Sequence, residues 1–382
     1  MSSDFHVDLQ VLSSGYDRKT CWVHPRPAFL PKSSQAIVTA QKLRLSGDDV
    51  FHGIYDFFSE DGGEHWTEPR LQTNFTRRPF QKSMEEGICD LSPGWHEKSQ
   101  TLLVTGHTVL YQNDELAPAP RLRQTAYSTW DAATGMWREW QKLDLSDQKL
   151  FAYEGAGSVQ RLDLLNGDIL LPTYYGIPDA TDENADLTYA VRVLRCSFDG
   201  RQLSCLEYGS ELSLSNERGF VEPSIACVGK RYFLTLRNDL AGYVTTSTDG
   251  LHYETPRPWL FDDGADLGNY NTQQHWVTHG DDLFLIYTRR GADNDHIMRH
   301  RAPLFIAQVD TKRLCVKRET ERILVPERGA RLGNFGVCKV SEKETWVTVA
   351  EWMQTIAPDP FDCTVCEKYG SDNSVFLAKI LF

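Results

Sequence analysis

Apolar and polar positions along the chain repeat one unit: an apolar run, a short polar turn, then a second apolar run. Six segments carry it, and the first three are His24 to Leu43 turning at Lys32–Ser34, Cys89 to Val109 turning at His96–Ser99, and Gly157 to Tyr175 turning at Asn166-Gly167. The others are Glu222 to Arg237 turning at Gly229-Lys230, His275 to Arg290 turning at Gly280–Asp282, and Gly336 to Trp352 turning at Ser341–Lys343. Asn-Gly, Gly-Lys and Gly-Asp between β-branched and aromatic runs are hairpin chemistry. The turns recur roughly every 50–70 residues, so each unit has room for more loop than the ~40–45-residue blades of WD40 proteins. Helical periodicity is weak throughout. The pattern predicts an all-β chain forming a six-bladed β-propeller. Phe5–Leu12 and Ser374–Phe382 also alternate like strands, which predicts that both termini close one blade and that residues 1–382 form a single domain.

Composition narrows the partners. A 41% hydrophobic, 24% charged chain can bury a core, and a net charge of −13 argues against a nucleic-acid partner, which needs a basic stripe. An acidic shell still leaves room for an anionic ligand held by inward-pointing arginines. No apolar run is long enough to span a bilayer, so no membrane partner is expected. Met1 to Phe5 shows no basic start followed by an apolar stretch, which predicts a cytoplasmic protein; a secreted chain trimmed of its signal would read the same. The nine cysteines are scattered, and the lone Cys363-x-x-Cys366 reads as free thiols rather than a redox or metal motif. No cofactor is predicted.

A second element follows the hairpins. Ser59 to Trp66 reads S-x-D-x-G-x-x-W, Ser247 to Tyr253 is a shortened form, Ser197 to Gly200 is shorter still, and Ser128 to Trp137 is a looser relative. In such a turn the Asp side chain accepts backbone N–H bonds, Gly takes a positive φ, and the aromatic packs beneath. These turns resemble the Asp boxes of sialidases and other BNR-repeat proteins, and the resemblance spans essentially the whole chain. It implies a propeller scaffold, with the boxes placed away from any active site.

Residues just before the first strand and just after the second strand of each blade are expected to face one central cleft. This gives His24, Arg26 and Gln41 in the first blade, Asp90 and His107 in the second, and Glu154 and Tyr174 in the third. The fourth supplies Glu222 and Arg237, the fifth Gln274, His275, Arg289 and Arg290, and the sixth Asn334 and Glu351. His24, His107, His275 and His300 lack tight ligand spacing, so no metal site is predicted. The stretches Asn269–His275 and His296–Pro303 place amides, histidines and arginines that suit the reading of sugar hydroxyls or proton abstraction; for Asn271, Gln273 and Gln274 the hydrogen bonding of buried loops is an equal alternative.

Arg26, Arg237 and Arg289 (with Arg290 as an adjacent substitute) are similar in position to the sialidase arginine triad, whose guanidinium forks match a carboxylate. The alternative is that Arg26 and Arg237 form ion pairs with Glu154 and Glu222 and hold the blades in register. Glu222-Pro223-Ser224-Ile225 with Arg237 resembles the sialidase segment bearing the glutamate that activates a tyrosine nucleophile. The chain departs from the family in having His24-Pro25-Arg26-Pro27 in place of Arg-Ile-Pro, and Gly333-Asn334-Phe335-Gly336 where the tyrosine would stand. Tyr174, Tyr175, Tyr270 and Tyr287 remain as tyrosines without a matching motif, and Asp48, Asp49 and Asp90 as acid/base candidates. The leading expectation is an exo-acting glycoside hydrolase for a terminal, carboxylated sugar, with Glu222, Asp90, His107 and Tyr174 as catalytic candidates. A lyase acting on a uronic acid through His, Tyr and Arg, and a non-catalytic glycan-binding propeller, are the two alternatives.

Overall fold

The computed structural model describes residues 4–46, 49–81, 83–147, 149–178, 187–356 and 358–382. The chain is an all-β propeller, and its strands fall into six antiparallel sheets among these residues. From the axis outward, the first sheet runs Thr20–Leu30, Gln35–Arg44, Phe51–Ser59 and Arg70–Leu71. The second is built on Met84–His96, Thr101–Gln112 and Thr125–Asp131, and the fourth on Val221–Val228, Arg231–Arg237 and Gly242–Ser247. The fifth uses His275–His279, Asp282–Tyr287 and Leu304–Asp310. Each innermost strand packs against its neighbours in the adjacent sheets, and that of the sixth meets that of the first, so the ring closes.

The predicted count of six blades needs correction. Five sheets have an unbroken innermost strand and stand as regular blades. In the third, the strand next to Ile169–Ile177 is reduced to Glu154–Gly155 and Leu162–Asp163, with turns between them. That segment, Gly155 to Arg161, holds small and polar residues in place of an alternating apolar run, so little favours a continuous ladder there.

The sixth sheet runs Arg331–Ser341, Glu344–Trp352, Val375–Leu381 and His6–Ser13, the last two pairing from His6–Leu381 to Ser13–Val375. The chain thus supplies the outermost strand of this sheet from its N-terminal end. Apolar side chains of facing sheets interdigitate, and Trp137, Trp259, Trp276 and Trp346 are fully buried between them. The Ser-x-Asp turns form as the residue types dictate. Asp61 Oδ1 accepts the amides of Glu64 and His65 at 3.2 and 3.0 Å, and Asp249 Oδ1 accepts those of Leu251 and His252 at 2.8 Å each. Asp310, which the sequence motif did not reveal, does the same for Lys312 and Arg313. No helix among the described residues is long and apolar enough to cross a membrane.

Candidate functional site

Four sheets share one irregularity at the cavity end of the innermost strand. Between the register pairs Val23↔Gln41 and Arg26↔Thr39, two residues oppose one. The same occurs between Cys89↔His107 and Ser92↔Thr105, Val221↔Arg237 and Ser224↔Thr235, and Gly333↔Ala350 and Gly336↔Thr348. The first residue of each bulge is His24, Asp90, Glu222 and Asn334, with φ of 52°, 56°, 47° and 59°. A bulge of this kind usually places Gly in the left-handed region. A larger residue held there costs energy, and the bulge re-aims the rest of the strand, a combination characteristic of functional positions. All four residues line one central cavity of about 840 Å³.

Asp90 is the hub of the first half of the cavity. Its Oδ1 lies 3.2 Å from His24 Nδ1 and accepts the Ser158 hydroxyl at 2.6 Å, while Oδ2 lies 3.3 Å from His107 Nε2. Ser158 Oγ in turn accepts from Arg26 Nη2 at 2.7 Å. Burial pushes the Asp90 carboxyl up, but the two histidines and Ser158 outweigh it and hold it far below the usual carboxylate range. Burial pulls His24 down against the attraction of Asp90. Asn334 Nδ2 sits 2.6 Å from the other His24 nitrogen. Cys89, Asp90 and His107 present S, O and N atoms within 4.8 Å of one another, but the Cys89 sulfur lies against the ring, 3.6 Å from His107 Nδ1 and 3.8 Å from Nε2, so the three do not converge on one ion.

The opposite half is rich in arginine. Arg237 donates to Glu222 Oε1 at 2.7 Å and to Asn271 Oδ1 at 2.8 Å. Beside it lie Arg299, Arg301 and Arg331, none with a carboxylate at ion-pair distance among the described residues. Arg301 donates to the Asn271 carbonyl, and the Arg331 guanidinium stacks 3.6 Å over the Trp352 ring. Burial, then repulsion from Arg331, Arg237 and Arg299, pulls Arg301 well below the usual arginine range. Burial and Arg299 do the same to Arg331.

On a third wall, Tyr174 lies beneath Arg123, whose guanidinium is 4.4 Å from the ring centre, with Tyr153 and Tyr189 nearby. Burial pushes the Tyr174 hydroxyl up.

Of the sequence-predicted residues, the cavity therefore gathers His24, Asp90, His107, Tyr174, Glu222, Arg237 and Asn334, together with Asp49. Others are corrected. Arg26 is 1% exposed and lies under the floor on Ser158. Gln41 donates to the Ile88 carbonyl and ties the first sheet to the second. Glu154 accepts the amide and hydroxyl of Thr125. Gln274 is used by Thr235 and the Thr272 carbonyl, and His275 by Ser224. Arg289 grips Glu321 through Nε and Nη2 at 2.8 and 2.7 Å, away from the cavity. Arg290 donates to the Leu240 carbonyl. Glu351 is held by Arg328. Tyr175, Tyr270 and Tyr287 bond Glu211, His300 and Glu321. Asp48 lies outside the described residues. Of the two ion pairs in the register alternative, Arg26 bonds Ser158 rather than Glu154, whereas Arg237–Glu222 does form and lies in the cavity wall. Sequence reasoning missed Arg331 and Arg123, and reached Arg299 and Arg301 only as members of the His296–Pro303 stretch. Arg331 opens the innermost strand of its sheet, so the rule that found Asn334 could have found it.

No protein-family model matches the sequence, and no curated protein does. Solved structures do. A Dyadobacter fermentans protein of unknown function superposes with a TM-score of 0.66 at 14% identity, over 98% of this chain and 99% of that one. The NanB sialidase of Streptococcus pneumoniae gives 0.63 at 10% identity, over 98% of this chain and 70% of that one. The Trypanosoma rangeli sialidase gives 0.61 at 12% identity, over 99% of this chain and 60% of that one. In fold the chain is a sialidase-like propeller.

Proposed function

We propose that the chain, acting as one unit over residues 1–382, is an exo-acting glycoside hydrolase that removes a terminal, carboxylated sugar. The observation that carries this reading is the pair Arg301 and Arg331, buried beside Arg237 with no carboxylate to pair with among the described residues. A buried guanidinium without a counter-charge is costly, and a planar carboxylate from a ligand would relieve it bidentately. The triad expected at Arg26, Arg237 and Arg289 is replaced in this reading by Arg237, Arg301 and Arg331. Support also comes from the Trypanosoma rangeli sialidase, of similar fold, solved with sialic acid bound.

Glu222 and Tyr174 then act as activating base and nucleophile; Glu222 is close enough to bear on the charge of Tyr174, and Arg123 favours its ionised form. The His24–Asp90–His107 group manages protons at the leaving oxygen. Asn271 and Asn334 offer hydrogen bonds to sugar hydroxyls.

One observation favours a second reading. Asp90 is held as an anion, so it does not itself donate a proton. A lyase needs no such donor at the start: His107 or Tyr174 removes the proton next to a uronate carboxylate that the arginines neutralise. A panel of oligosaccharides ending in sialic or uronic acids separates the readings. Hydrolysis releases the acidic sugar and a new reducing end without ultraviolet absorbance, and a lyase yields an absorbing unsaturated sugar. Binding without turnover leaves a glycan-binding module, and neither binding nor turnover of any acidic sugar refutes the proposal.

A further inference from the structure

We propose that Cys196 and Cys205 form a peroxide-reactive dithiol, a modification site at which Cys205 is oxidised first and Cys196 then closes a disulfide across the third sheet. Neither residue lines the central cavity, and the site does not rest on the hydrolase reading.

The ladder sets the two thiols face to face. They lie on Thr188–Phe198 and Leu203–Tyr208, joined by a tight turn in which Asp199 Oδ1 accepts the amides of Arg201 and Gln202 at 2.8 and 2.7 Å. From that turn the register runs Phe198↔Leu203, Ser197↔Ser204 and Cys196↔Cys205 without a break, and the extra residue, Leu206, comes only beyond the cysteines. The Asp199 amide donates to the Gln202 carbonyl, so alternation makes Ser197 and Ser204 a hydrogen-bonded pair and Cys196 and Cys205 a non-hydrogen-bonded one. The Cα atoms of such a pair stand about 4.5 Å apart, inside the span of about 4.4–6.8 Å that a disulfide bridges. Both residues are free thiols in the structure, and they hydrogen-bond each other.

Their surroundings divide the labour. Cys196 is fully buried in the apolar core of the third sheet, whereas Cys205 sits half-buried on its outermost strand, where a small oxidant reaches it. The hydrogen bond from Cys196 holds the Cys205 thiol below the usual cysteine range, against its partial burial. The same bond, with burial, pushes Cys196 up. Burial also pushes up every other cysteine of the chain. An oxidant therefore meets one thiol with enhanced thiolate character, and a resolving thiol already touches it.

The chemistry is that of a hydroperoxide. The Cys205 thiolate attacks the O–O bond, an S–O bond forms, and the departing hydroxide takes up a proton to leave as water. The Cys196 sulfur then attacks the Cys205 sulfenic acid. An S–S bond forms, the S–O bond breaks, and the leaving hydroxide carries away the Cys196 proton as a second water. Two thiols are oxidised to one disulfide while one hydrogen peroxide is reduced to two waters.

The full chain, reduced and then treated with a small excess of hydrogen peroxide, tests the site. Two of the nine thiols should disappear on titration in denaturant. A tryptic digest should contain the peptide of residues 196–201 linked to that of residues 202–218, and reductant should separate them. Cys205→Ser should slow the first thiol loss about tenfold or more. Cys196→Ser should halt at a sulfenic acid on Cys205 that dimedone captures. The digest of the unaltered protein carries the test should either variant misfold by circular dichroism. Oxidation of any other cysteine first, a sulfenic acid on Cys205 that never links to Cys196, or an unchanged rate in Cys205→Ser overturns the proposal. No sugar enters this assay, so its failure leaves the hydrolase reading standing, and a protein that oxidises as expected yet turns over no sugar refutes only the latter.

Discussion

Arg331 stacks on Trp352 and faces Arg299 and Arg301, so the unliganded protein keeps it at a cost. Removing it should leave the fold intact and harm the ligand. Arg331→Met is expected to keep or raise the thermal midpoint, since a repulsive contact disappears while the aliphatic stem still covers Trp352. It should also weaken binding of an acidic sugar by about 30-fold or more, the scale for deleting one partner of a buried charge pair. Arg331→Lys should rescue little, because the bidentate fork is gone. Calorimetry on both variants with acidic and neutral sugars checks this, and equal losses for both sugars would contradict it. Arg289 shows why a strand-end arginine can mislead. Its chain leaves the ladder after Tyr287, and Glu321 from the outer part of the same sheet draws the guanidinium sideways. Partner choice over such a sequence distance leaves no local trace.

The bulge is the element that decides which side chains reach the cavity. Read with a strict period of two, His24 and Arg26 share a face, and both are expected in the cleft. The bulge inserts one residue between the register pairs, which flips everything after it. His24 therefore lines the cavity while Arg26 goes beneath the floor. The hairpins were legible because alternation and turn residues are local; the bulges were not, because they appear in the sequence only as non-glycine residues that must adopt positive φ. Asn334 tests that strain. Asn334→Gly and Asn334→Ala lose the same contact with His24, yet glycine tolerates φ 59° and alanine does not. The glycine variant is expected to be more stable by roughly 1 kcal/mol in denaturant titrations. Equal stabilities would mean the backbone there is not constrained. The Asp-capped turns make a second expectation at this scale. Backbone amides hold the carboxyls of Asp61, Asp199 and Asp310 below their usual range, and the amides of Leu251 and His252 do so for Asp249 despite partial burial. A depressed folded-state value stabilises the protein above the unfolded value near 4 and is lost as pH falls through the folded one. The thermal midpoint should thus drop steadily below pH 4, and less steeply in an Asp61→Asn, Asp249→Asn double variant. Parallel pH curves for the two proteins would rule this out.

At the scale of the whole molecule, a chain of net charge −13 surrounds a cavity walled by arginines. Low-dielectric walls focus that local field, which favours an anionic ligand at the mouth despite the overall sign. The ring that holds those arginines in place depends on the sixth sheet, where His6–Ser13 covers the outer edge of Val375–Leu381. The covered strand is almost wholly buried, and Phe5 adds ring contacts to Phe284 and Phe382 at 5.8 and 5.7 Å. Without the N-terminal strand, an apolar edge bearing unpaired amides and carbonyls would face solvent, an arrangement prone to pairing between molecules. Deleting residues 1–13 is therefore expected to cost roughly 3 kcal/mol or more of the ~5–15 kcal/mol that stabilises a typical fold. The truncated protein should melt at a lower temperature and sediment as aggregates on concentration. A synthetic peptide spanning residues 4–14 should restore part of the midpoint, because it can rebuild the ladder from His6–Leu381 onward. Disrupting the peptide's pairing with proline at Asp8, opposite Lys379, should remove that rescue, since a proline cannot donate to the ladder. A truncated protein with an unchanged midpoint, or a peptide that rescues equally well with the proline, would show that the ring closes without this strand.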